Sequence, residues 1–304
     1  MRRDPRQLGV DRTRWTLDTV GRACAWLAGR SRSGVWRVLD ALEVVLKRGR
    51  AHVHSPDPAY EEKRAAIAEC LAAARASGGR VVALFQDEFT LHRQPTVAPA
   101  WEARGRPQAL AERSLRGDAT ARIVATLDAG DGRVLFRRRG ELGIPALVGF
   151  YKEVAAAYPA AARIDVVLDN WPVHFHPDLL VALQPQDCPF PFPRPPSWPA
   201  EASPEAARKW GGLDLPIRLV PLPTYASWLN PIEKLWRWLQ QEVLHLHRWA
   251  DDLPSLRAAA DRFLAKFVAG AAACADLLRY VGLETHDQFL NLHKCRAEGW
   301  IRRA

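Results

Sequence analysis

Three carboxylates stand where phosphoryl-transfer chemistry needs them. Asp87 closes the apolar run RVVALFQDE, Asp169 closes a second run, IDVVLDN, and Glu233 opens a helix in LVPLPTYASWLNPIEKLWRWLQ. A buried strand that finishes in an acid presents it at the ligand-binding end of a sheet instead of to the core. Two such strands and a helical Glu can hold two divalent ions roughly 3.5–4 Å apart, the arrangement used for in-line displacement at phosphorus. Mg2+ or Mn2+ suits such an all-oxygen donor set. The implied chemistry is metal-dependent cutting of nucleic acid.

Each of these side chains also has a structural reading. Asp87 and Asp169 could cap strand ends or serve in turns. Glu88 follows Asp87, and successive strand side chains point to opposite faces, so only one of the pair can face a metal. Asn230, Pro231 and Glu233 form a capping-box pattern, which would serve helix stability alone. Asn170 and Asn230 could position a phosphate or a water beside the acids. His174 could touch a scissile phosphate or cap the next helix. The pairs His174/His176 and His245/His247 lack the Cys or carboxylate spacing of a zinc site. Trp228, Trp236, Trp238 and Trp249 read as core and interface, with stacking on an unpaired base the lesser alternative.

The positioning elements follow from periodicity. The run 80–89 is a strand, and 121–140 is a hairpin turning at 128–132. Residues 145–158 form a helix, 164–170 a strand, 177–183 a short helix, and 217–223 a strand that leads to the long helix from Pro231. Three early strands followed by alternating helix and strand indicate an α/β fold: a mixed sheet flanked by helices, in ribonuclease-H-like order. A Pro-rich insertion, about 185–216, interrupts it as either a packed lid or a disordered excursion.

Ahead of this domain (80–304) lie two shorter parts. Residues 1–55 contain an amphipathic helix at 15–28 entered at Thr16, the turn GRSRS, and a second helix at 33–46 with Val35, Leu39, Leu42 and Leu46 on one face. Two helices around a tight Gly-containing turn match a small all-α helix-turn-helix module. Arg30, Arg32 and Arg37 lie where a recognition helix meets DNA, and Lys47, Arg48 and Arg50 follow as backbone contacts. A linker helix over 56–79 ends at Gly78-Gly79.

Charge agrees with a polyanionic partner. Lys and Arg number 43 against 34 Asp and Glu, a net charge of +9, and residues 1–80 hold 16 basic against 9 acidic side chains. The basic excess therefore sits in the N-terminal part, where double-stranded DNA is the expected partner. Cys24, Cys70, Cys188, Cys274 and Cys295 are odd in number with no CxxC, which argues for reduced thiols and a cytoplasmic protein. No apolar run is long enough to span a membrane, and the N-terminus has no signal-peptide pattern.

At FQDEFTLHRQPTVAPAWEARGRPQ, VVLDNWPVHFH and LVPLPTYASWLNPIEKLWRWLQQEV the sequence resembles the bacterial insertion-sequence transposases related to the mariner elements, which carry a DDE superfamily endonuclease domain. The resemblance covers about residues 10–250. It implies Asp87, Asp169 and Glu233 as the metal-binding catalytic triad and favours Asp87 over Glu88. It further implies cutting at the element's terminal repeats, joining of the 3′-OH to target DNA, and a homodimer bridging two ends. Two features depart from the family. The 63 residues between Asp169 and Glu233 exceed the usual gap, which a loop can absorb because closure entropy grows slowly with length. A further helix-turn-helix usually precedes this one, so a shortened copy is expected here. A catalytically silent DNA-binding relative and a nuclease without strand transfer are the alternative functions.

Overall fold

The computed structural model describes residues 4–46, 55–184, 190–191 and 194–284. The chain divides into two compact units, Met1–Val53 and His54–Ala304. In the first, helix α1 (Leu17–Ala23) begins at Thr16, whose hydroxyl accepts from Thr19 N–H while the Thr19 hydroxyl accepts from Thr16 N–H. Thr19 thus plays the reciprocal part that Glu or Gln has in the usual capping box. Helix α2 (Arg32–Ala41) is entered through Ser31, whose Oγ accepts from Gly34 N–H at 3.2 Å. A Cβ on Gly21 would stand 3.2 Å from Val35 Cγ2, so the glycine allows close approach of the two helices.

The core of this unit is Val20, Leu27, Val35 and Leu39. The second helix stops earlier than its apolar period suggests. The chain turns through Glu43 at φ 57°, and Val44 N–H bonds back to Leu39 O at 2.8 Å. Leu42 and Leu46, expected on the buried face, are 57% and 100% exposed. Arg30, Arg32 and Arg37 are exposed at and after the start of α2. Lys47, Arg48 and Arg50 lie outside the described residues.

The second unit contains α3 (Tyr60–Ala76), β1 (Val81–His92), β2 (Thr120–Asp128), β3 (Val134–Arg139), α4 (Ile144–Ala157), β4 (Arg163–Leu168), α5 (Pro177–Leu180), α6 (Pro204–Trp210), β5 (Ile217–Pro221), α7 (Ile232–Leu239), α8 (Leu253–Ala269) and α9 (Ala271–Val281). The sheet order is β3-β2-β1-β4-β5. Strands β1, β2 and β3 form an antiparallel meander, and β4 and β5 add in parallel beyond β1. This is the ribonuclease-H-like mixed sheet expected from the element order. One face is covered by α3, α7, α8 and α9 and the other by α4 and α5, so the apolar residues of β1 and β4 alternate between two cores.

Two expectations change. Helix α3 is no linker: Ile67, Cys70 and Leu71 are buried in the core beneath β1 and β5. Its amphipathic stripe has a sheet to pack on, which local pattern alone cannot reveal. The Pro-rich insertion is partly built into the fold. Leu183 bridges Leu215, Ser203 N–H donates to Asp178 Oδ1 at 2.6 Å, and Ser203 Oγ caps α6 at Ala206. Among the described residues, no helix is long and apolar enough to cross a membrane.

Candidate metal centre

Strand register brings the first two acids together. The parallel pairing of β1 with β4 ends at Phe85↔Val167. Two residues further along each chain stand Asp87 and Asp169, at the same level of the sheet. Asp87 does not end its strand, as the apolar run suggested. Strand β1 continues to His92 on β2 alone, and Asp87 pairs with Ala125. Asp169 follows the last residue of β4.

Helix α7 carries Glu233 in its first turn and is tied to β1 on either side of it. Asn230 Nδ2 donates to Gln86 O at 3.0 Å, and Trp236 Nε1 donates to Asp87 Oδ2 at 2.9 Å. The capping box is not formed. Helix α7 has no side-chain cap, because the Asn230 amide is engaged with β1. Among the described residues no hydrogen-bond donor reaches the Glu233 carboxylate, which remains available to a ligand.

The acids influence one another's protonation. Burial pushes the Asp87 carboxyl up to about 8, assisted by the negative charges of Glu233 and then Glu88. Burial likewise raises Glu233; Arg237 opposes this and the Asp169 charge adds to it. Glu233 therefore senses one acid and is sensed by the other. For Asp169, burial acts upward, but contact with His174 and the Trp171 N–H (2.9 Å to Oδ1) outweighs it and holds this acid below the usual carboxylate range.

Glu88 points to the opposite face from Asp87, as alternation requires, yet it is still part of the site. Its Oε2 lies 3.3 Å from His174 Nε2, which is 3.5 Å from Asp169 Oδ1. Ligand atoms of Glu88, Asp169 and His174 all fall within 4.8 Å of one another. Burial alone would lower the imidazole, but Glu88 and Asp169 raise it to about 9, making it an imidazolium that pairs with carboxylates. His174 is fully buried, and it is not the cap of the next helix. The helix cap is His176, whose Nδ1 accepts from Asp178 N–H. His245 and His247 are engaged with Thr96 and Trp249.

The two asparagines tie elements together through their amide nitrogens, and their side-chain oxygens have no hydrogen-bond partner among the described residues. Asn170 Nδ2 donates to Leu222 O at 2.8 Å, joining the ends of β4 and β5, just as Asn230 joins α7 to β1. Two residues that sequence reasoning did not assign to the site belong to it. Trp236 was readable from its spacing, since i and i+3 share a helix face with Glu233. Glu88 had only its adjacency to Asp87 as a signal.

The carboxylate oxygens of Asp87, Asp169 and Glu233 suit a hard divalent cation, and Asp87 is buried beside like charges that a dication would neutralise.

A profile described as DDE superfamily endonuclease matches residues 82–257. An uncharacterized 39 kDa protein of insertion element IS630 from Shigella sonnei is 20% identical over 254 residues, covering 82% of this chain and 63% of that protein. The chain thus spans under two thirds of the length of that relative. The Mos1 mariner paired-end complex with Mn superposes with a TM-score of 0.58 at 16% identity, covering 97% of this chain and 77% of that one. A pre-cleavage Mos1 transpososome gives 0.56 at 16% identity, with 99% and 79% covered. These likenesses establish the fold.

Proposed function

This chain belongs to the DDE superfamily endonuclease family, and we propose that it is the transposase of a bacterial insertion element, cutting DNA at the element's ends and joining the freed 3′-OH to target DNA. One observation supports the reading. Strand register sets Asp87 and Asp169 at the same level of adjacent parallel strands, and Trp236, three residues after Glu233 on α7, bonds Asp87 Oδ2 at 2.9 Å.

Asp87, Asp169 and Glu233 would hold Mg2+ or Mn2+. Two such ions, when bound, supply Lewis-acid stabilisation of the attacking and leaving oxygens of an in-line displacement. The protein's own contribution is positioning. Trp236 fixes one oxygen of Asp87, and the Trp171 N–H fixes Oδ1 of Asp169. In the first step a water oxygen bonds to phosphorus at the element end, and the 3′ oxygen leaves and takes up a proton. In the second, that 3′-OH attacks a target phosphodiester, loses its proton, and displaces the target's own 3′ oxygen. No covalent protein–DNA bond is needed.

Arg30, Arg32 and Arg37 of α2 and its approach are the proposed DNA contacts, continued by Lys47, Arg48 and Arg50. The partners are the element's terminal repeats and target DNA, and a homodimer would bring two ends together. The test is Mn2+-dependent cleavage of DNA carrying the flanking element ends, comparing the wild type with Asp169→Asn. Cleavage by the wild type alone, followed by joining of the 3′-OH to a target plasmid, is expected. Binding without cleavage by either protein would refute the enzyme reading and leave a DNA-binding relative. Cleavage without joining would leave a nuclease.

A further inference from the structure

Asp169 stands on chain that the sheet no longer holds. Pairing of β4 with β1 stops at Val167 and with β5 at Leu168↔Pro221, and the Asp169 side chain is 52% exposed. A carboxylate in that position would sample several rotamers. A ligand must instead be held near its productive geometry before the ion arrives, or ordering it costs affinity.

Resting on the reading of Asp169 as a metal ligand, we propose that Glu88 and His174 form a brace that orients Asp169: they are positioning residues, not ligands. Glu88 is hydrogen-bonded at one oxygen and in ion-pair contact at the other. Gln86 Nε2 donates to Oε1 at 3.1 Å, and His174 Nε2 lies 3.3 Å from Oε2. His174 comes from the short turn Pro172–Phe175 and is wedged edge-on between Trp171, at 5.3 Å and 88°, and Phe175, at 6.4 Å and 87°. Its ring therefore cannot swing away. Its Nε2 lies 3.5 Å from Asp169 Oδ1, the oxygen that also accepts from Trp171 N–H. Oδ1 is committed inward, which leaves Oδ2 as the oxygen that can face an ion. The path Gln86–Glu88–His174–Asp169 restores, through side chains, the link between β1 and the end of β4 that the backbone ladder has lost. The adjacent acids of β1 then divide the work: Asp87 accepts from Trp236 of α7, whereas Glu88 contacts His174, which lies beside the other strand's acid.

The brace is tested with Mn2+ alone, on DNA-free full-length protein, by calorimetric titration and by electron paramagnetic resonance of the bound ion. His174→Leu removes the donor at similar volume, and His174→Gln returns an N–H near the position of Nε2. The expected result is Mn2+ binding weakened by roughly ten- to a hundredfold in His174→Leu, the range for loss of an outer-shell partner. Most of it should return in His174→Gln. Should His174→Leu fail to fold, His174→Phe fills the same slot without a donor and carries the same expectation. Three results overturn the brace. Unchanged Mn2+ affinity in a variant with a lowered melting temperature would leave His174 as packing only. Tighter binding would mean that the residue acts merely as a local positive charge. Strong nitrogen hyperfine coupling on wild-type Mn2+ would make His174 a ligand. Asp169→Asn separates the two levels: if it binds Mn2+ like the wild type, the metal-centre reading itself fails and the brace falls with it.

Discussion

The clearest consequence of the site's electrostatics is that the protein without metal should become more stable when one of the acids proposed to bind metal, Asp87, is neutralised. The Asp87 carboxyl is lifted from its ordinary 3.8 to about 8 by burial and by the Glu233 and Glu88 charges. A gap of about four units at about 1.4 kcal/mol each gives on the order of 5 kcal/mol as an upper bound. A raised carboxyl binds its proton more tightly in the folded state. Its contribution to stability is therefore full below about pH 4, declines as pH rises, and is lost above about pH 8. Asp87→Asn cannot ionise, has nearly the same shape, and keeps an oxygen to accept from Trp236 Nε1. In chelator, Asp87→Asn should melt higher than the wild type at pH 8.5, by roughly 4–20 °C if 2–5 kcal/mol is recovered at the 2–4 °C per kcal/mol usual for larger domains. At about pH 4 the two should nearly coincide. Saturating Mn2+ should raise the wild type and leave the variant unmoved, so the order can reverse. Thermal denaturation followed by circular dichroism is sufficient. A variant that melts lower at pH 8.5, or gains equally at both pH values, would refute the reasoning.

Other outcomes follow from single contacts. Asp57 accepts from Lys63 Nζ and from Thr224 N–H, both at 2.8 Å; burial acts upward on its carboxyl, but these donors bring it down to about 2. Asp57→Ala should cost about 3–5 kcal/mol at pH 7, as breaking a buried pair does. Because the folded carboxyl is lowered, the loss should fade as pH falls from about 4 toward 2, which denaturant midpoints at both ends would detect. Replacing Arg30, Arg32 and Arg37 with Ala should flatten the dependence of log K on log salt by about 0.9 per lost phosphate contact, alike on element-end and random DNA; an unchanged slope would remove α2 from the DNA interface. Gly132 adopts φ 78°, and a Cβ there would meet Cys274 O at 2.4 Å, so Gly132→Ala should lower stability by about 2 kcal/mol or more, visible as a lower melting temperature.

What could be read in the sequence was what period and chemistry write locally. Apolar runs ending in Asp87 and Asp169 marked two buried strands, because a strand covered on both faces has no polar side to show. Thr16 was legible as a helix entry through its capping chemistry. What could not be read depended on partners distant in sequence. Helix α3 looked like a linker because the sheet it covers had yet to be assembled. Helix α2 was extended to Leu46 because apolar spacing persists after the backbone has turned at Glu43. The true length of β1 was visible in principle, since Asp87, Phe89 and Leu91 alternate with Glu88, Thr90 and His92. An acid inside a strand nevertheless reads as an ending until a second partner strand is known to continue beside it.

Glu233 shows why register decides what composition cannot. Asn230, Pro231 and Glu233 would serve a capping box and a metal ligand equally well on paper. The capping box needs the Asn230 side chain to turn toward its own helix, and the fold turns it toward Gln86 instead. One turn later, Trp236 reaches the neighbouring Asp87. The helix is fastened to β1 before and after Glu233, by hydrogen bonds that Glu233 does not make. Its carboxylate is thereby fixed in place yet left without a donor, and the like charge of Asp169 raises its pKa further after burial has done so. A group positioned by its neighbours and left unsatisfied costs stability unless a cation completes it. Asn230 is thus one of the two residues that hold the helix to β1 without engaging the Glu233 carboxylate.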